Sequence, residues 1–536
     1  MITRYMQFPP GGFPVLLLSI LFLALAVTGA GAQSSTGFVR TQGPWLMDGH
    51  GRVLMLHGVN LGSKTPPFLP WATRDEVMVL REWGFNSVRY YITWEAVEPQ
   101  PGEYDDAFLD KLAERLDWCR EAGLRVILDM HQDLYARDYL GGDGAPAWAR
   151  LDDGLAHEAP EGAWFTGYWS PAVQRAFDNF WANKPGPGGV GIQDRFAAMW
   201  QHVARRFRDD TNIMGYDILN EPSYGEDLNG VMAAIATGAV KELGPEAAAA
   251  VANLDFAAIS QMIQALLKKD AAVRVLDYAS PLNQKAEQAK LQPFYDRVTA
   301  AIRAVDPHHV IFFDPAFGDL SGTRLLTGLE APKDAAGRPF ANVVFAPHSY
   351  DFSTDYLFPY VREEAGLRES LGRAKSAGDR MGVPTWFGEW GTWPPQSERP
   401  DGRLLTVDHM DACDEMLCGW AYWAYWGPTF KDFSLLPLLT RPYPEVIAGI
   451  PQRIWSTDDG VEVRFAPLPQ GGETVIWASP SYHAEVNVRF DGEGAARRRR
   501  DSDGRIRVTC SAGADACTIA VSLLRAGQAV QRRSRM

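Results

Sequence analysis

The chain has 536 residues, of which 46% are apolar and 22% are charged. This length exceeds a single ordinary domain, but it fits a barrel of about 250–400 residues with an accessory module. The formal net charge of −14 argues against nucleic acid as a partner.

The N-terminus has the pattern of a secretory signal, which is predicted to span residues 1–32. Arg4 supplies a positive start, and residues 15–27 form an apolar run that is too short to cross a bilayer comfortably. The small residues at 30–32 fit a cleavage site, and an uncleaved anchor is the alternative. The sequence therefore predicts a secreted or periplasmic protein, cleaved near Ala32.

Eight short apolar segments are separated by helical patterns. They lie at 54–61, 86–94, 125–130, 216–219, 310–314, 343–350, 384–387 and 420–426. A capping box of Thr73 with Glu76 opens the first of these helices, and Gly84 closes it. A long helical insertion at 226–292 follows the fourth segment. Strands that alternate with helices in this way predict an α/β fold, a (β/α)8 barrel spanning residues 33–440.

Two of these segments lead into glutamates. Glu221 follows the fourth segment in Asn-Glu-Pro, where Pro222 forces the chain out of the strand, and Glu389 ends the seventh in Gly-Glu-Trp. Two carboxylates at the ends of two barrel strands are the minimum for cleaving a glycosidic bond. The sequence predicts Glu221 as the acid/base and Glu389 as the nucleophile. A solvated strand-end carboxylate is the alternative for Glu221 alone.

Other polar and aromatic residues fall at or just after the ends of the same segments. They are His131, Asn220, His348, Tyr350 and Trp423. Because the chemistry of a (β/α)8 barrel sits at the carboxyl ends of its strands, we expect these side chains to meet at one mouth. The alternative for His131 and His348 is a core histidine. The alternative for Arg89, on the second segment, is a structural salt bridge.

Beyond residue 441 the apolar pattern changes to a period of two. It does so at 461–465, 474–477, 485–490, 505–508 and 519–521. This alternation predicts a C-terminal antiparallel β-sandwich domain over 441–525, followed by a disordered tail at 526–536. The basic run at 497–500 is interpreted as a charged hairpin tip, with a membrane-contact patch as the alternative.

The chain has five cysteines, and in an exported protein some of them should pair. Cys510 and Cys517 flank Gly513 in what is interpreted as a hairpin, and we expect them to form a disulfide. The cysteine spacings do not indicate a metal site.

Taken together, the motifs resemble glycoside hydrolase family 5 over about residues 37–440. The matching residues are Arg89, His131, Asn220-Glu221-Pro222, His348 with Tyr350, Glu389 and the tryptophan of the eighth segment. Within that family the chain looks most like the endoglycoceramidase branch, which releases an intact glycan from ceramide and carries a C-terminal β-sandwich. The features of that branch are residues 60–64, His131-Gln132-Asp133, the insertion after the fourth strand, and Arg441-Pro442-Tyr443-Pro444.

The resemblance implies a retaining β-glycoside hydrolase with a glycolipid substrate. It implies that Lys64, His131 and Asp133 contact the first sugar. Trp423 is expected to stack on that sugar, with Trp426 as its competitor. Further roles expected from the mechanism are a hydrogen bond from Asn220 to the sugar 2-OH and support of ionised Glu389 by Arg89 and Tyr350. This chemistry requires no cofactor.

For the lipid, an apolar groove is expected, with ordinary helix packing as the alternative. Its walls would come from the insertion and from Pro66, Pro67, Phe68, Leu69 and Trp71. Transient contact with a membrane surface or micelle and a monomeric state are also expected. Trp390 replaces a more usual Phe, which would alter sugar preference. Rival functions are a glucosylceramidase, β-glucosidase or endoglucanase on the same barrel, and a non-catalytic glycan- or lipid-binding protein.

Overall fold

The computed structural model describes residues 37–69, 72–157, 164–245, 247, 256–268, 271–317, 324–363, 366–392, 396–511 and 513–524. The predicted signal segment with its cleavage site, the predicted tail and Trp71 all lie outside these residues. Within the described ranges, no helix is long and apolar enough to cross a membrane.

The strands are numbered in chain order. They are β1 Arg40–Gln42, β2 Trp45–Met47, β3 Val53–Leu54, β4 His57–Gly62, β5 Ser87–Thr93, β6 Arg125–His131, β7 Ile213–Asp217, β8 Val310–Phe313, β9 Val343–Phe345, β10 Trp386–Trp390, β11 Gly419–Tyr422, β12 Tyr443–Ile447, β13 Gly449–Thr457, β14 Gly460–Pro467, β15 Gly472–Trp477, β16 His483–Asp491, β17 Ala496–Arg500, β18 Arg505–Cys510 and β19 Ala516–Leu524.

The α-helices are numbered in the same way. They are α1 Arg74–Trp83, α2 Trp94–Val97, α3 Asp106–Ala122, α4 Pro171–Trp181, α5 Ile192–Phe207, α6 Asp227–Leu243, α7 Phe256–Lys268, α8 Ala272–Asp277, α9 Ser280–Ala286, α10 Gln292–Arg303, α11 Phe352–Asp355, α12 Leu367–Met381, α13 Pro400–Met416 and α14 Leu436–Leu439. A π-helical turn, Glu287–Leu291, joins α9 to α10.

Strands β4 to β11 form one eight-stranded parallel sheet in the order β10-β11-β4-β5-β6-β7-β8-β9. Its two ends meet, because the Phe345 N–H of β9 donates to the Pro384 carbonyl at 3.0 Å and the Ser349 N–H donates to the Glu389 carbonyl at 2.8 Å. The sheet therefore closes on itself, with α1, α3, α5, α10, α12 and α13 among its connections. The predicted (β/α)8 barrel is confirmed.

Helix α1 shows how particular residues determine where an element begins and ends. Thr73 caps α1 and forms the predicted capping box with Glu76, and Gly84 ends the helix in the left-handed conformation at φ 114°. Gly84 is also required by packing, because a Cβ there would lie 2.2 Å from the indole of Trp477 on β15. The end of α1 is thus fitted to the sheet that follows the barrel.

The C-terminal strands form two further sheets. One has the order β1-β2-β3-β12-β15-β18-β17 and the other β13-β14-β19-β16. Strands that precede the barrel therefore share a sheet with strands that follow it. The side chains at the amino end of the barrel pack on this module, with the His57 ring 3.8 Å from that of Tyr443. The predicted antiparallel sheets after the barrel are confirmed.

Several predicted strands have different limits in the structure, and three of them are instructive. The first segment is split, since Val53–Leu54 pairs in the C-terminal sheet and only His57–Gly62 joins the barrel. The sixth ends at Phe345 and the eighth at Tyr422. In the sixth and eighth segments apolar residues such as Ala346 and Tyr425 are buried in the loop after the strand, so hydrophobicity alone overestimates the strand length.

Two predictions in the C-terminal module are wrong in detail. Residues 497–500 are not a hairpin tip but belong to β17, an exposed edge strand. Cys510 and Cys517 are not on one hairpin, since β18 and β19 belong to different sheets. Their sulfur atoms lie 3.3 Å apart as free thiols. The disulfide between them stays a prediction.

The insertion packs as a helical layer on the loop after β9. Side chains of α6, α7 and α8 surround Phe352 and Tyr356, and the Ser260 hydroxyl donates to the Tyr356 carbonyl at 3.1 Å. Phe68 and Leu69 follow β4, which is separated from β7 by two strands in the barrel. The insertion and residues 66–69 therefore leave the barrel at different sides of its mouth.

Candidate active site

The two predicted catalytic glutamates lie at the carboxyl end of the barrel. Glu389 is the fourth residue of β10, and Glu221 is the fourth residue after β7. Both side chains are buried. One carboxylate oxygen of each and a ring nitrogen of His348 all lie within 4.8 Å of one another. Residues 168 positions apart in the sequence are thus brought face to face.

The backbone of Glu221 is held on both sides. Its φ of 40° is unusual for a residue other than glycine. Its N–H donates to Oδ2 of Asp314 at 3.3 Å, and its carbonyl accepts a hydrogen bond from Nε2 of Gln132 at 2.8 Å. These contacts, together with Pro222, fix the turn that aims the carboxylate at Glu389.

Arg89 projects from β5 into the centre of the barrel and is completely buried. Because a guanidinium is a rigid fork of five donors, one side chain can hold several acceptors in place. The acceptors are Oε1 of Glu389 at 2.6 Å, Oδ2 of Asp217 at 2.8 Å, Oδ1 of Asn220 at 2.9 Å and Oδ1 of Asn60 at 3.2 Å. Oδ1 of Asp129 lies 2.9 Å from the guanidinium as an ion pair.

The loop after β9 supplies the remaining contacts to the two glutamates. Nδ1 of His348 lies 2.8 Å from Oε1 of Glu221 and 3.7 Å from Oε2 of Glu389. The Tyr350 hydroxyl donates to Oε2 of Glu389 at 3.2 Å. Glu389 therefore receives a guanidinium and a phenol, whereas the carboxylate of Glu221 faces an imidazole.

The sequence profile of the family described as Cellulase (glycosyl hydrolase family 5) matches residues 56–428. The chain belongs to glycoside hydrolase family 5. It is therefore a glycosidase, and its matched region covers the barrel and all of the site residues described above.

Individual relatives are similar over nearly the whole chain. Endoglycoceramidase I of Rhodococcus hoagii (strain 103S) is 26% identical over 472 residues, which are 85% of this chain and 82% of that protein. An endoglycoceramidase of Hydra vulgaris is 24% identical over 88% of this chain and 86% of its own length. The solved structure of endo-glycoceramidase II from Rhodococcus sp. in complex with ganglioside GM3 is 27% identical, with a TM-score of 0.68, over 90% of this chain and 99% of that one.

The pKa values of the two glutamates of this family 5 glycosidase are shifted by different surroundings. Burial, with the nearby charge of Asp133, raises the pKa of Glu221 to about 8. Burial also raises the pKa of Glu389, but His348 and Arg89 oppose the rise. At neutral pH Glu221 therefore holds a proton, as the acid of the pair must.

A second polar group lies beside the glutamates. The ammonium of Lys64 contacts the carboxylate of Asp133 and lies 3.7 Å from that of Asp143. Burial alone would lower the pKa of Lys64, but the charges of Asp133 and Asp143 raise it. The carboxylates of Asp133 and Asp143 with His131 are close enough to bind a metal ion. Lys64, however, already supplies a positive charge there.

His131 connects this group to the barrel centre. Its Nδ1 lies 2.8 Å from Asp129, and its Nε2 lies 3.7 Å from Asp133. Burial lowers the pKa of His131 well below its ordinary value, so the ring is neutral. A neutral ring held between two carboxylates has a fixed orientation.

Trp423 and Trp426 are in different surroundings. Trp423 follows β11, stacks on His131 at a centroid distance of 5.2 Å and has the Lys64 ammonium 4.6 Å from its ring. Trp426 packs instead on Phe430 and Phe433 outside this group. Of the two tryptophans, Trp423 is the one at the site.

Trp390 does not face the site, contrary to the interpretation that it would alter sugar preference. It is buried on the outer side of β10, where its ring stacks on that of His409 at 4.0 Å. Since neighbouring residues of a strand point to opposite faces, the inward direction of Glu389 sends Trp390 outward.

Several buried residues that hydrogen-bond or pair with the site residues had no role predicted from the sequence. They are Asn60, Asp129, Gln132, Asp143, Asp217 and Asp314. Period-two alternation would have found Asp129, since it precedes His131 by two residues on β6 and must share its inward face. The sequence has no comparable signal for Asp143, which returns to the site from a loop.

Proposed function

We propose that this enzyme cleaves the bond between the glycan and the ceramide of glycosphingolipids and retains the configuration of the sugar. The observation that carries the proposal is the close pair of Glu221 and Glu389. Retaining glycosidases place their two carboxyl groups about 5–5.5 Å apart, whereas inverting enzymes leave room for a water molecule. The choice of substrate is supported by the endoglycoceramidase relatives, which match both the barrel and the sheets beyond it.

In the first step Glu389 attacks the anomeric carbon of the sugar. A bond forms between its carboxylate oxygen and that carbon, while the bond from the carbon to the ceramide oxygen breaks. Glu221 gives its proton to the departing oxygen, so ceramide leaves as a neutral alcohol. This step needs an acid because an alkoxide is a poor leaving group.

In the second step the ionised Glu221 removes a proton from a water molecule. The resulting nucleophile attacks the same carbon and releases Glu389 as a carboxylate. The product is the intact glycan with its original anomeric configuration, and Glu221 is again protonated. Arg89 and Tyr350 favour the ionised form of Glu389 that must be regenerated.

The sugar would lie against Trp423 and the polar group of Lys64, His131 and Asp133. Lys64 and Asp133 offer a donor and an acceptor to neighbouring hydroxyls, and the tryptophan offers an apolar face. Asn220 lies beside the catalytic pair, as a residue that bonds the 2-OH should. Its Oδ1 accepts from Arg89 and its Nδ2 donates to the Gln132 carbonyl, so the second hydrogen of Nδ2 would make that contact.

The lipid would leave past an aromatic rim next to Glu221. Phe317 donates its N–H to the Pro222 carbonyl at 2.9 Å and contacts Trp164, whose ring centroid is 6.3 Å away. Trp164 is 46% exposed, and Leu357, beyond the same mouth, is 64% exposed. Large exposed apolar side chains beside an acid that serves the leaving group fit an aglycone that is a lipid.

Export by the N-terminal signal, action as a monomer and transient contact with a membrane or micelle complete the proposal. The apolar run at 15–27 supports export. The exposed rim supports contact with the lipid phase, where the substrate resides.

Product analysis tests the proposal. The purified enzyme is incubated with ganglioside GM3, glucosylceramide and carboxymethyl cellulose, and the products are identified by mass spectrometry. We expect intact trisaccharide and ceramide from GM3, with the β-anomer appearing first by proton NMR. Glucose from glucosylceramide alone would indicate a glucosylceramidase, and shortened cellulose an endoglucanase. Glu389→Gln should bind GM3 without cleaving it, and turnover by this variant would reject the nucleophile.

A further inference from the structure

Asp314 is a buried acid next to the catalytic centre that the mechanism above does not use. It follows β8 directly, and its carbonyl accepts a hydrogen bond from the Tyr295 hydroxyl at 2.7 Å. Its Oδ2 lies 3.3 Å from Nε2 of His348 and 3.3 Å from the backbone nitrogen of Glu221. One carboxylate oxygen thus faces both the acid/base residue and the histidine that contacts it.

We propose that Asp314 is a positioning residue that keeps the ring proton of His348 on Nε2, so that Nδ1 accepts the acid proton of Glu221. The N–H of Glu221 can only donate, so Oδ2 of Asp314 acts as an acceptor. Nε2 makes no well-aligned hydrogen bond within the described part of the chain, and Oδ2 of Asp314 lies 3.3 Å away, where a small rotation of the ring would aim the Nε2–H at it. A neutral imidazole with its proton on Nε2 presents a lone pair at Nδ1.

The charges around the ring agree with this arrangement. Burial lowers the pKa of His348 to about 4, so the ring is neutral at physiological pH and carries one proton. Burial and the charge of Asp217 raise the pKa of Asp314 well above its ordinary value. Oδ1 of Asp314 makes no hydrogen bond to the described residues, so it can carry a proton while Oδ2 still accepts.

Charges from several other strands of the barrel act on these groups. Arg89 projects from β5, Asp129 from β6, Asp217 from β7 and Glu389 from β10, while Asp133 follows β6. The carboxylates of Asp129, Asp217 and Glu389 are held by the guanidinium of Arg89. A change at Asp314 that leaves them in place should therefore act mainly through His348.

Loss of the acceptor reverses the direction of the hydrogen bond at Glu221. The ring proton is then free to move to Nδ1, where it donates to the carboxylate of Glu221 and favours its ionised form. The pKa of Glu221 falls, and the acid proton is lost at a lower pH. The inference rests on the proposed role of Glu221 as the acid.

Asp314→Leu removes the acceptor at nearly constant size, and Asp314→Asn restores an acceptor oxygen. Octyl β-lactoside needs protonation of its leaving group, whereas 2,4-dinitrophenyl β-lactoside does not. For Asp314→Leu we expect kcat/KM on the octyl substrate to fall roughly ten- to a hundredfold, with a much smaller loss on the dinitrophenyl substrate. The alkaline limb of the pH profile should move to lower pH, and Asp314→Asn should recover most of the loss.

Equal losses on the two lactosides, an unmoved alkaline limb, or an Asn variant as impaired as the Leu variant would each overturn the inference. The titration of Glu221 is followed separately by ¹³C NMR, with Glu221→Gln used to assign its resonance. That measurement needs no substrate, so it decides the role of Asp314 even if the parent enzyme cleaves neither lactoside. Inactivity that extends to GM3 would refute the proposed function alone. Circular dichroism and melting curves verify that both variants are folded.

Discussion

Nη1 of Arg89 lies 2.6 Å from Oε1 of Glu389, and both side chains are buried. The same guanidinium is within 2.9 Å of Asp129 and Asp217. One positive charge is thus shared among three carboxyl groups in a site with little water to screen them. Arg89 therefore has two effects that can be measured separately, one on folding stability and one on the ionisation of the nucleophile.

Arg89→Met should destabilise the protein by about 3–5 kcal/mol, because it leaves buried carboxylates without a partner. Urea unfolding, followed by tryptophan fluorescence, measures this change. The matched control is Arg74→Met at the exposed pair with Glu121, which should leave the unfolding midpoint almost unchanged. The variant should also require a higher pH to ionise Glu389. If Arg89→Met unfolds at the same urea concentration as the parent protein, the buried carboxyl groups do not depend on Arg89 for their charge balance.

The pH dependence of kcat/KM should be bell-shaped, with its alkaline limb near pH 8. Glu221 must be protonated to donate, and its pKa is raised to about 8 by burial and by Asp133, so activity is lost as the pH rises through that value. Glu389 must be ionised to attack, and burial raises its pKa, so activity is lost as the pH falls through a value above that of an ordinary glutamate.

The assignment of the alkaline limb can be tested with Glu221→Ala. On 2,4-dinitrophenyl β-lactoside with azide as the second nucleophile, this variant needs neither an acid nor a base. Its alkaline limb should disappear while the acid limb remains. An alkaline limb that persists near pH 8 would assign it to a group other than Glu221.

The barrel and the main site residues could be predicted because they lie where strands end. Asn220-Glu221-Pro222 and the sequence around Glu389 each combine an apolar strand with a polar residue at its carboxyl end, and the fold brings such ends together. Local patterns are therefore sufficient to locate a centre formed by residues far apart in the sequence.

The remaining features depend on tertiary contacts that local patterns do not record. The short strand β3 has no pattern of its own, since it is defined by pairing with β12 from the other end of the chain. Asp143 reaches Lys64 from a loop. Arg498 and Arg500, on the edge strand β17, donate to the backbone carbonyls of Val486 and Tyr482. Charge runs and loops have no periodicity from which such contacts could be inferred.

Trp423→Ala should lower kcat/KM on GM3 about tenfold, mostly through KM, because an aromatic contact contributes roughly 1 kcal/mol beyond its buried area. Trp426→Ala is the matched control, since it removes the same side chain three positions further on, where it packs on Phe430 and Phe433. Its KM should change little. A larger effect at Trp426 would place the sugar outside the group formed by Trp423, Lys64 and His131.

Trp164→Ala should impair cleavage of glycolipids but not of soluble aryl glycosides. Its ring is 46% exposed and contacts Phe317 beside the acid/base residue, where the lipid would leave. On GM3 in mixed micelles we expect kcat/KM to fall about tenfold, because a large apolar contact with the chain is lost. On 2,4-dinitrophenyl β-lactoside the rate should stay close to that of the parent enzyme, since this substrate has no lipid.

The control for Trp164 is Trp455→Ala on β13, which is 49% exposed and lies in the C-terminal sheets rather than at the mouth of the barrel. It removes a tryptophan of similar exposure, so it corrects for any general loss of adsorption to micelles. If both variants lose activity on GM3 to the same extent, the loss comes from weaker binding to the lipid surface. If Trp164→Ala alone is impaired, the ceramide chain passes the aromatic rim beside Glu221.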